Sequence, residues 1–172
     1  MYRIRQFLSS LFPRVSAAER AALTRWLNAP AQRLFLRMAV RDQRHSLDVL
    51  RRVQAVLPAQ PDLAAAALLH DAAKTAGPGP RIRLHHRVLA VLIEALHPGS
   101  VARLGLNQPG NWRYPFYLHH AHPELSAQMA EAAGCTPLTV ALIRRHQHKL
   151  AAPASNETER LLLVLQQADD LS

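Results

Sequence analysis

Twelve residues constrain this chain more than any others: Leu63-Ala64-Ala65-Ala66-Ala67-Leu68-Leu69-His70-Asp71-Ala72-Ala73-Lys74. Ala and Leu are strong helix formers, and no polar residue interrupts them before His70. A helix that is apolar on every side is a buried one. The stretch therefore predicts a central helix with His70 and Asp71 at its inner end. An imidazole and a carboxylate are costly to bury unless something pairs with them. A divalent ion would do so, since it takes neutral imidazole nitrogen and carboxylate oxygen together. Lys74 follows His70 by four residues, which predicts both on one helix face. An ammonium would then lie beside the ion, with an anionic oxygen between them. A His-Asp pair can equally be a capping or hydrogen-bonding pair, so the rest of the chain has to decide.

The chain has 172 residues, of which 49% are hydrophobic. That is the length and composition of one globular domain with a sizeable core. Aromatics are few, Ala and Leu abundant, and no alternating β-branched run is present, so the expected class is all-α: about seven helices and no sheet. The single Cys135 excludes an internal disulfide framework and suits a reducing, cytoplasmic compartment. No apolar run is long enough for a transmembrane segment. Met1 to Val15 is basic, with Phe7, Leu8, Leu11 and Phe12, but lacks the apolar stretch of a signal peptide. Residues 1–41 are read as a helical extension packed on a domain formed by residues 42–172. A membrane-surface anchor is the alternative for the first turns.

The formal net charge is +9. An Arg-rich solvated surface would explain it, and so would attraction to a polyanion, whether nucleic acid or a phosphorylated small molecule. Arg is spread along the chain without a dense basic tract or an aromatic platform, so nucleic acid is not the expected partner. No sequence feature sets an oligomeric state.

Ser16-Ala17-Ala18-Glu19 has the capping-box pattern and predicts a helix from about Ala17 to Asn28. Leu34, Phe35 and Met38 suggest a short helix. Asp42 is placed to cap a third, with Leu47, Leu50, Val53 and Val56 as its buried stripe and His45 in its first turn. Gly77-Pro78-Gly79-Pro80 breaks the chain. Ile82 to Leu96 repeats apolar residues at helical spacing through Val88, Leu89, Leu92, Ile93 and Leu96, accompanied by His85, His86 and His97 as surface or supporting residues. Residues 98–118 read as irregular, with Trp112, Tyr114, Phe116 and Tyr117 near the end. They form either a lid or binding loop or a segment packed on the core. His122 precedes Pro123, a favoured first helical residue, and Gly134 fits the stop of that helix. Thr136-Pro137 starts another, ending at His146. Asn156 and Glu159 cap the last, which ends at Asp169-Asp170.

Helix ends thus deliver His45, His70 with Asp71, His122, His146 and Asp169. In order and motif these residues resemble the HD superfamily of metal-dependent phosphohydrolases. The matching pieces are Asp42-Gln43-Arg44-His45, Leu68-Leu69-His70-Asp71-Ala72-Ala73-Lys74, His122-Pro123-Glu124-Leu125-Ser126-Ala127, Ile143-Arg144-Arg145-His146 and Ala168-Asp169. The resemblance is closest to the branches with two further His residues between the doublet and the final Asp. Those are the HD-GYP cyclic dinucleotide phosphodiesterases and the bacterial di-iron hydrolases of dinucleoside tetraphosphates. It implies a first metal on His45, His70, Asp71 and Asp169, and a second on His122 and His146, with Asp71 bridging. It also implies a phosphate contact from Lys74. The Gly-Tyr-Pro signature is missing, His146 is followed by Gln147 rather than a second His, and an insertion at about 81–118 lengthens the path from Asp71 to His122.

The expected activity is cleavage of a phosphodiester, phosphoanhydride or phosphomonoester bond of a nucleotide or related phosphate ester. Two close divalent ions can activate the attacking water and polarise the phosphoryl oxygens. This donor set suits Fe or Mn, with Co, Zn and Mg as alternatives. Lys74 would offset phosphoryl charge. Arg144 and Arg145 are candidates for further phosphate contacts or simply part of a solvated face. A non-catalytic HD-fold module that binds a nucleotide or phosphate for signalling is the second reading. A helical nucleic-acid binder with structural His residues is the third.

Overall fold

The computed structural model describes residues 13–76, 84–97, 99–148, 150 and 154–172. Phe7, Leu8, Leu11, Phe12, the Gly77–Pro80 break and Ile82 lie outside them. The described residues form nine α-helices, two 3₁₀ turns and no strand, so the chain is all-α.

Local chemistry starts most of these helices where the sequence places them. The first, α1 (Ala17–Ala22), opens on a complete capping box. The Ser16 hydroxyl accepts from the Glu19 amide at 3.2 Å and the Ser16 amide donates to the Glu19 carboxylate at 2.9 Å. It is shorter than expected, passing into a 3₁₀ turn at Leu23–Arg25. Asn28 caps α2 (Ala29–Arg37). Next come α3 (Val40–Val56) and α4 (Pro61–Leu69), where every residue from Leu63 to Leu69 is buried. Helix α4 packs against α2, α3, α8 (Pro137–Arg145) and α9 (Glu157–Asp170). Phe35, Val49, Val53, Leu142, Ile143, Leu162 and Leu165 close around it in one apolar core. The N-terminal helices join that core through Leu23, Leu27, Leu34 and Met38.

Three local expectations fail for reasons of packing. Asp42 is not a cap. Helix α3 begins two residues earlier, with Ala39 as its N-terminal neighbour and no side-chain cap. Asp42 is instead buried and accepts a hydrogen bond from the Thr75 hydroxyl at 2.8 Å. At the other end of α3, Val56 is exposed rather than buried. The segment 98–118 is not irregular throughout. It contains α6 (Ser100–Leu104), and α7 (Tyr114–Ala132) starts within it. Glu94 supplies the missing start signal for α6 from the preceding helix, α5 (Leu84–Leu96), by accepting from the Gly99 and Val101 amides at 2.6 and 3.3 Å. Of the four aromatics there, Tyr114 and Phe116 are buried and Trp112 is exposed.

The helical spacing read on α5 does not mark a buried face. Val88, Leu89, Leu92 and Leu96 are exposed. The helix meets α6 and α7 through Ala90, which packs with Val101 and Phe116, while Ile93 is only partly covered.

Candidate metal centre

Five of the six candidate ligands are delivered by a helix end or by a local disturbance in a helix, whereas His45 lies in the second turn of α3 rather than its first because that helix begins at Val40. Helix α4 ends at Leu69, one residue before the doublet. Asp71 adopts φ −104°, ψ 9°, outside helical geometry, and a 3₁₀ turn follows at Ala72–Lys74. His70 and Lys74 therefore do not share a helix face as the four-residue spacing predicted. The turn is pinned from two sides. The Ala73 amide donates to the Ser126 hydroxyl of α7 at 3.0 Å, and the Thr75 hydroxyl accepts from the Ala39 amide at 2.9 Å while donating to Asp42. No role for Ser126, Thr75 or Asp42 in this support was visible from local sequence pattern, because each acts on a residue more than thirty positions away.

His122 does not begin a helix. Helix α7 runs unbroken from Tyr114 to Ala132 with Pro123 inside it. Proline has no amide to give to the carbonyl four residues back, which here belongs to His119. The Nδ1 of His122 lies 2.8 Å from that same carbonyl oxygen. The ring thus takes over the bond the proline cannot make, and the helix survives.

His70 and His146 repeat the arrangement at helix ends. Nδ1 of His70 is 3.0 Å from the Ala67 carbonyl, and Nδ1 of His146 is 2.7 Å from that of Ile143. Carbonyl oxygens only accept, so all three rings carry their proton on Nδ1 when neutral. That leaves the Nε2 lone pair to face inward, as in metal sites where a carbonyl fixes the tautomer.

The inward atoms form two groups of three: His45, His70 and Asp169, and Asp71, His122 and His146. Within each group the ligand atoms lie within 4.8 Å of one another, so either could hold a metal ion. His45 Nε2 is 2.9 Å and His70 Nε2 3.4 Å from Asp169 Oδ1. Asp71 joins the groups. Its Oδ2 faces His70 at 3.7 Å and His45 at 4.0 Å, while its Oδ1 faces His122 at 3.3 Å and His146 at 3.9 Å. The rings of His70 and His146 meet edge to face across the junction, centroids 5.1 Å apart. All six expected ligands thus converge.

The group of Asp71, His122 and His146 is buried, whereas His45 and Asp169 remain 27% exposed at their side chains. The Nε2 atoms of His70, His122 and His146 and Oδ1 of Asp71 are buried without a hydrogen bond of good geometry. Leaving such an atom unpaired costs about 1–3 kcal/mol. Cations held in the two groups would satisfy all four, so the donor set fits divalent ions.

Lys74 Nζ is 2.6 Å from Asp71 Oδ2 and largely buried. Its contact is the junction carboxylate itself. Arg144 pairs with Glu124 at 2.8 Å and Arg145 with Glu159 at 3.7 Å. Neither arginine forms an ion pair with Asp71 or Asp169, so the structure does not bring them into the ligand cluster.

The electrostatics separate the two groups. Burial would raise the Asp71 carboxyl, but the Lys74 ammonium and the His70 imidazole hold it well below the usual range. Asp169 is likewise held far down against burial by His45 and His70. Burial would lower His70, yet Asp71 and Asp169 raise it above the ordinary His value. Burial and then Lys74 push His122 down, and burial with the neighbouring His70 and His122 takes His146 to about 3. His122 and His146 therefore stay neutral, with their lone pairs available, as the medium turns acidic, while His70 takes up a proton earlier. Acidification of metal-loaded protein should release metal in two steps, the His45/His70/Asp169 group emptying at the higher pH. Metal content after dialysis at stepped pH checks this. Release in one step, or a late step that persists in His146→Ala, contradicts it. The depressed His values also mean that the unfolded chain binds more protons below the ordinary His range. Fold stability from this pair is present above about pH 6.5 and declines as pH falls towards 3.

No protein-family model, curated protein or solved structure matches this chain. Among the described residues, no helix is long and apolar enough to cross a membrane.

Proposed function

We propose that this chain is an HD-type metal-dependent phosphohydrolase acting on a nucleotide or a related phosphate ester. One observation carries the reading. Asp71 turns one oxygen towards each of two His-rich groups, with a lysine bonded to it. His45, His70, Asp169 and Asp71 would hold one ion, and His122, His146 and Asp71 the other, with Fe or Mn best suited to these donors. Bound there, the ions would supply an activated water and Lewis-acid polarisation of the phosphoryl group.

The protein's own residues do the rest. The carbonyls of Ala67, His119 and Ile143 fix which ring nitrogen faces the site. His45 and Asp169 form the solvent-facing edge, so a substrate phosphate approaches from their side. Lys74, bonded to Asp71 Oδ2 on that same side, provides fixed positive charge for the phosphoryl oxygens.

Elemental analysis of untagged protein, followed by turnover of bis-p-nitrophenyl phosphate with Mn or Fe added, tests the proposal. About two ions per chain and metal-dependent turnover are expected. Metal without turnover of this or of nucleotide substrates would favour a phosphate-binding module. Protein that binds no metal would end both readings.

A further inference from the structure

We propose that Arg41 and Arg52 are specificity residues, which bind anionic groups on either side of the phosphate at the metal centre. The inference rests on the phosphohydrolase reading and narrows its substrate to compounds with further phosphate groups. Helix α3 carries four arginines, Arg41, Arg44, Arg51 and Arg52. The fold supplies carboxylates to two of them. Arg44 pairs with Glu19 at 2.7 Å and with Asp48 at 3.2 Å, and Arg51 pairs with the same two acids at 2.8 and 2.7 Å. Among the described residues, Arg41 and Arg52 form no ion pair, and the remaining residues include no Asp or Glu.

The two arginines without a carboxylate are the two beside His45. Arg41 precedes it by four residues and Arg52 follows it by seven, so both project from His45's side of the helix, about 6 Å and about 10 Å along its axis. Arg44 and Arg51 lie about 100–120° round the axis, towards α1. Both ends of this row are tied to the open edge of the centre. At Arg41's end, the Ala39 amide donates to the Thr75 hydroxyl at 2.9 Å, one residue from Lys74. At the other end, Arg52 Nε donates to the Ser172 hydroxyl at 3.1 Å, and that hydroxyl donates to the Ala168 carbonyl at 2.6 Å, next to Asp169. Ser172 offers Arg52 a neutral partner, which leaves its charge in place. Asp170 is exposed and pairs with neither arginine. His45 and Asp169 form the solvent-facing edge, so a phosphate held there has a guanidinium on each side along α3. Charge that carboxylates offset acts locally, whereas unpaired charge beside an opening draws in and orients an anion. A single phosphate at the ions leaves both arginines unused, and further phosphates reach them.

Baseless deoxyribose oligomers with one, two or three phosphates isolate the anion count. Calorimetry on metal-loaded protein should show each added phosphate tightening binding by about fivefold, a gain that added salt weakens. In Arg41→Gln/Arg52→Gln the gain should fall below about twofold per phosphate, with metal content and circular dichroism unchanged. Both side chains are exposed, so the variant is expected to fold. Arg51→Gln removes the same charge from the same helix but away from His45, and it should keep the gain. Three results would overturn the inference: a flat series in the unsubstituted protein, an undiminished gain in the double variant, or an equal loss in Arg51→Gln. Affinity is read without turnover, so the two readings fail separately. A protein that cleaves bis-p-nitrophenyl phosphate but gives a flat series loses the role of the arginines alone, and one that shows the gain without turnover loses hydrolysis alone.

Discussion

Asp71→Ala is expected to strip the protein of both ions and leave no measurable turnover. Both ligand groups face this carboxylate, which gives Oδ2 to one and Oδ1 to the other. Without it each group keeps its imidazoles, but among the described residues of the two groups the carboxylate left to offset positive charge is Asp169, on one side. Two cations facing each other with no anion between them repel strongly in a low dielectric. The substitution also removes the partner of Lys74, whose ammonium is largely buried. Breaking a buried pair from one side costs about 3–5 kcal/mol, and the partial access of Lys74 to water places the expected loss at the lower end. Asp71→Asn separates the two effects, since it keeps the shape and an acceptor oxygen for Lys74 while removing the charge. Metal should be lost from Asp71→Asn as from the alanine variant, with a smaller fall in melting temperature. If Asp71→Asn held two ions per chain, the junction role assigned to this carboxylate would be wrong.

Lys74→Ala should do the opposite with metal and a similar thing to turnover. Its ammonium occupies Asp71 Oδ2, an oxygen that also faces His45 and His70. Removing a positive charge from beside a cation site favours the cation, so metal content should match or exceed that of the unsubstituted protein. On the proposed phosphohydrolase reading, what is lost is fixed positive charge where negative charge would gather on the phosphoryl oxygens. One charge-assisted contact is worth about 1.5–3 kcal/mol, a fall of about ten- to a hundredfold in kcat/KM. Lys74→Met, which keeps the stem without the charge, should behave as the alanine does. Steady-state kinetics and metal analysis on the same preparations decide. A Lys74→Ala protein with full activity would leave the lysine only its ion pair with Asp71, and one that had lost its metal would make the lysine part of the ligand scaffold.

The sequence was most readable where the chemistry is local. The caps at Ser16, Thr136 and Asn156 start helices where the pattern says they should, and five of the six candidate ligands stand where a helix ends or is disturbed. It was least readable where a distant group settles the outcome. Pro123 looks like a helix start in isolation, and only the ring of His122 on the His119 carbonyl shows how the helix passes through it. The Ala-rich run does not mark its own end, which is fixed by Ser126, Thr75 and Asp42 holding the following turn. The stripe on α5 has the spacing of a buried face, but spacing cannot say whether another element arrives to cover it.

Under the proposed reading, the burial of Asp71, His122 and His146 bears on where a metal held there would come from. Their side chains are between 0 and 3% exposed, so a bulky chelator, unlike water, reaches them only when the helices part. Opening of that kind is rare in a stable core. An ion held there would be the one at hand when the chain folds, and later changes in supply would reach it on the timescale of unfolding. Under the proposed reading, the inner ion records the metal pool at synthesis, while the outer one follows the pool of the moment. Two preparations of one sequence, grown in different media, could then differ in activity with no difference in their polypeptide.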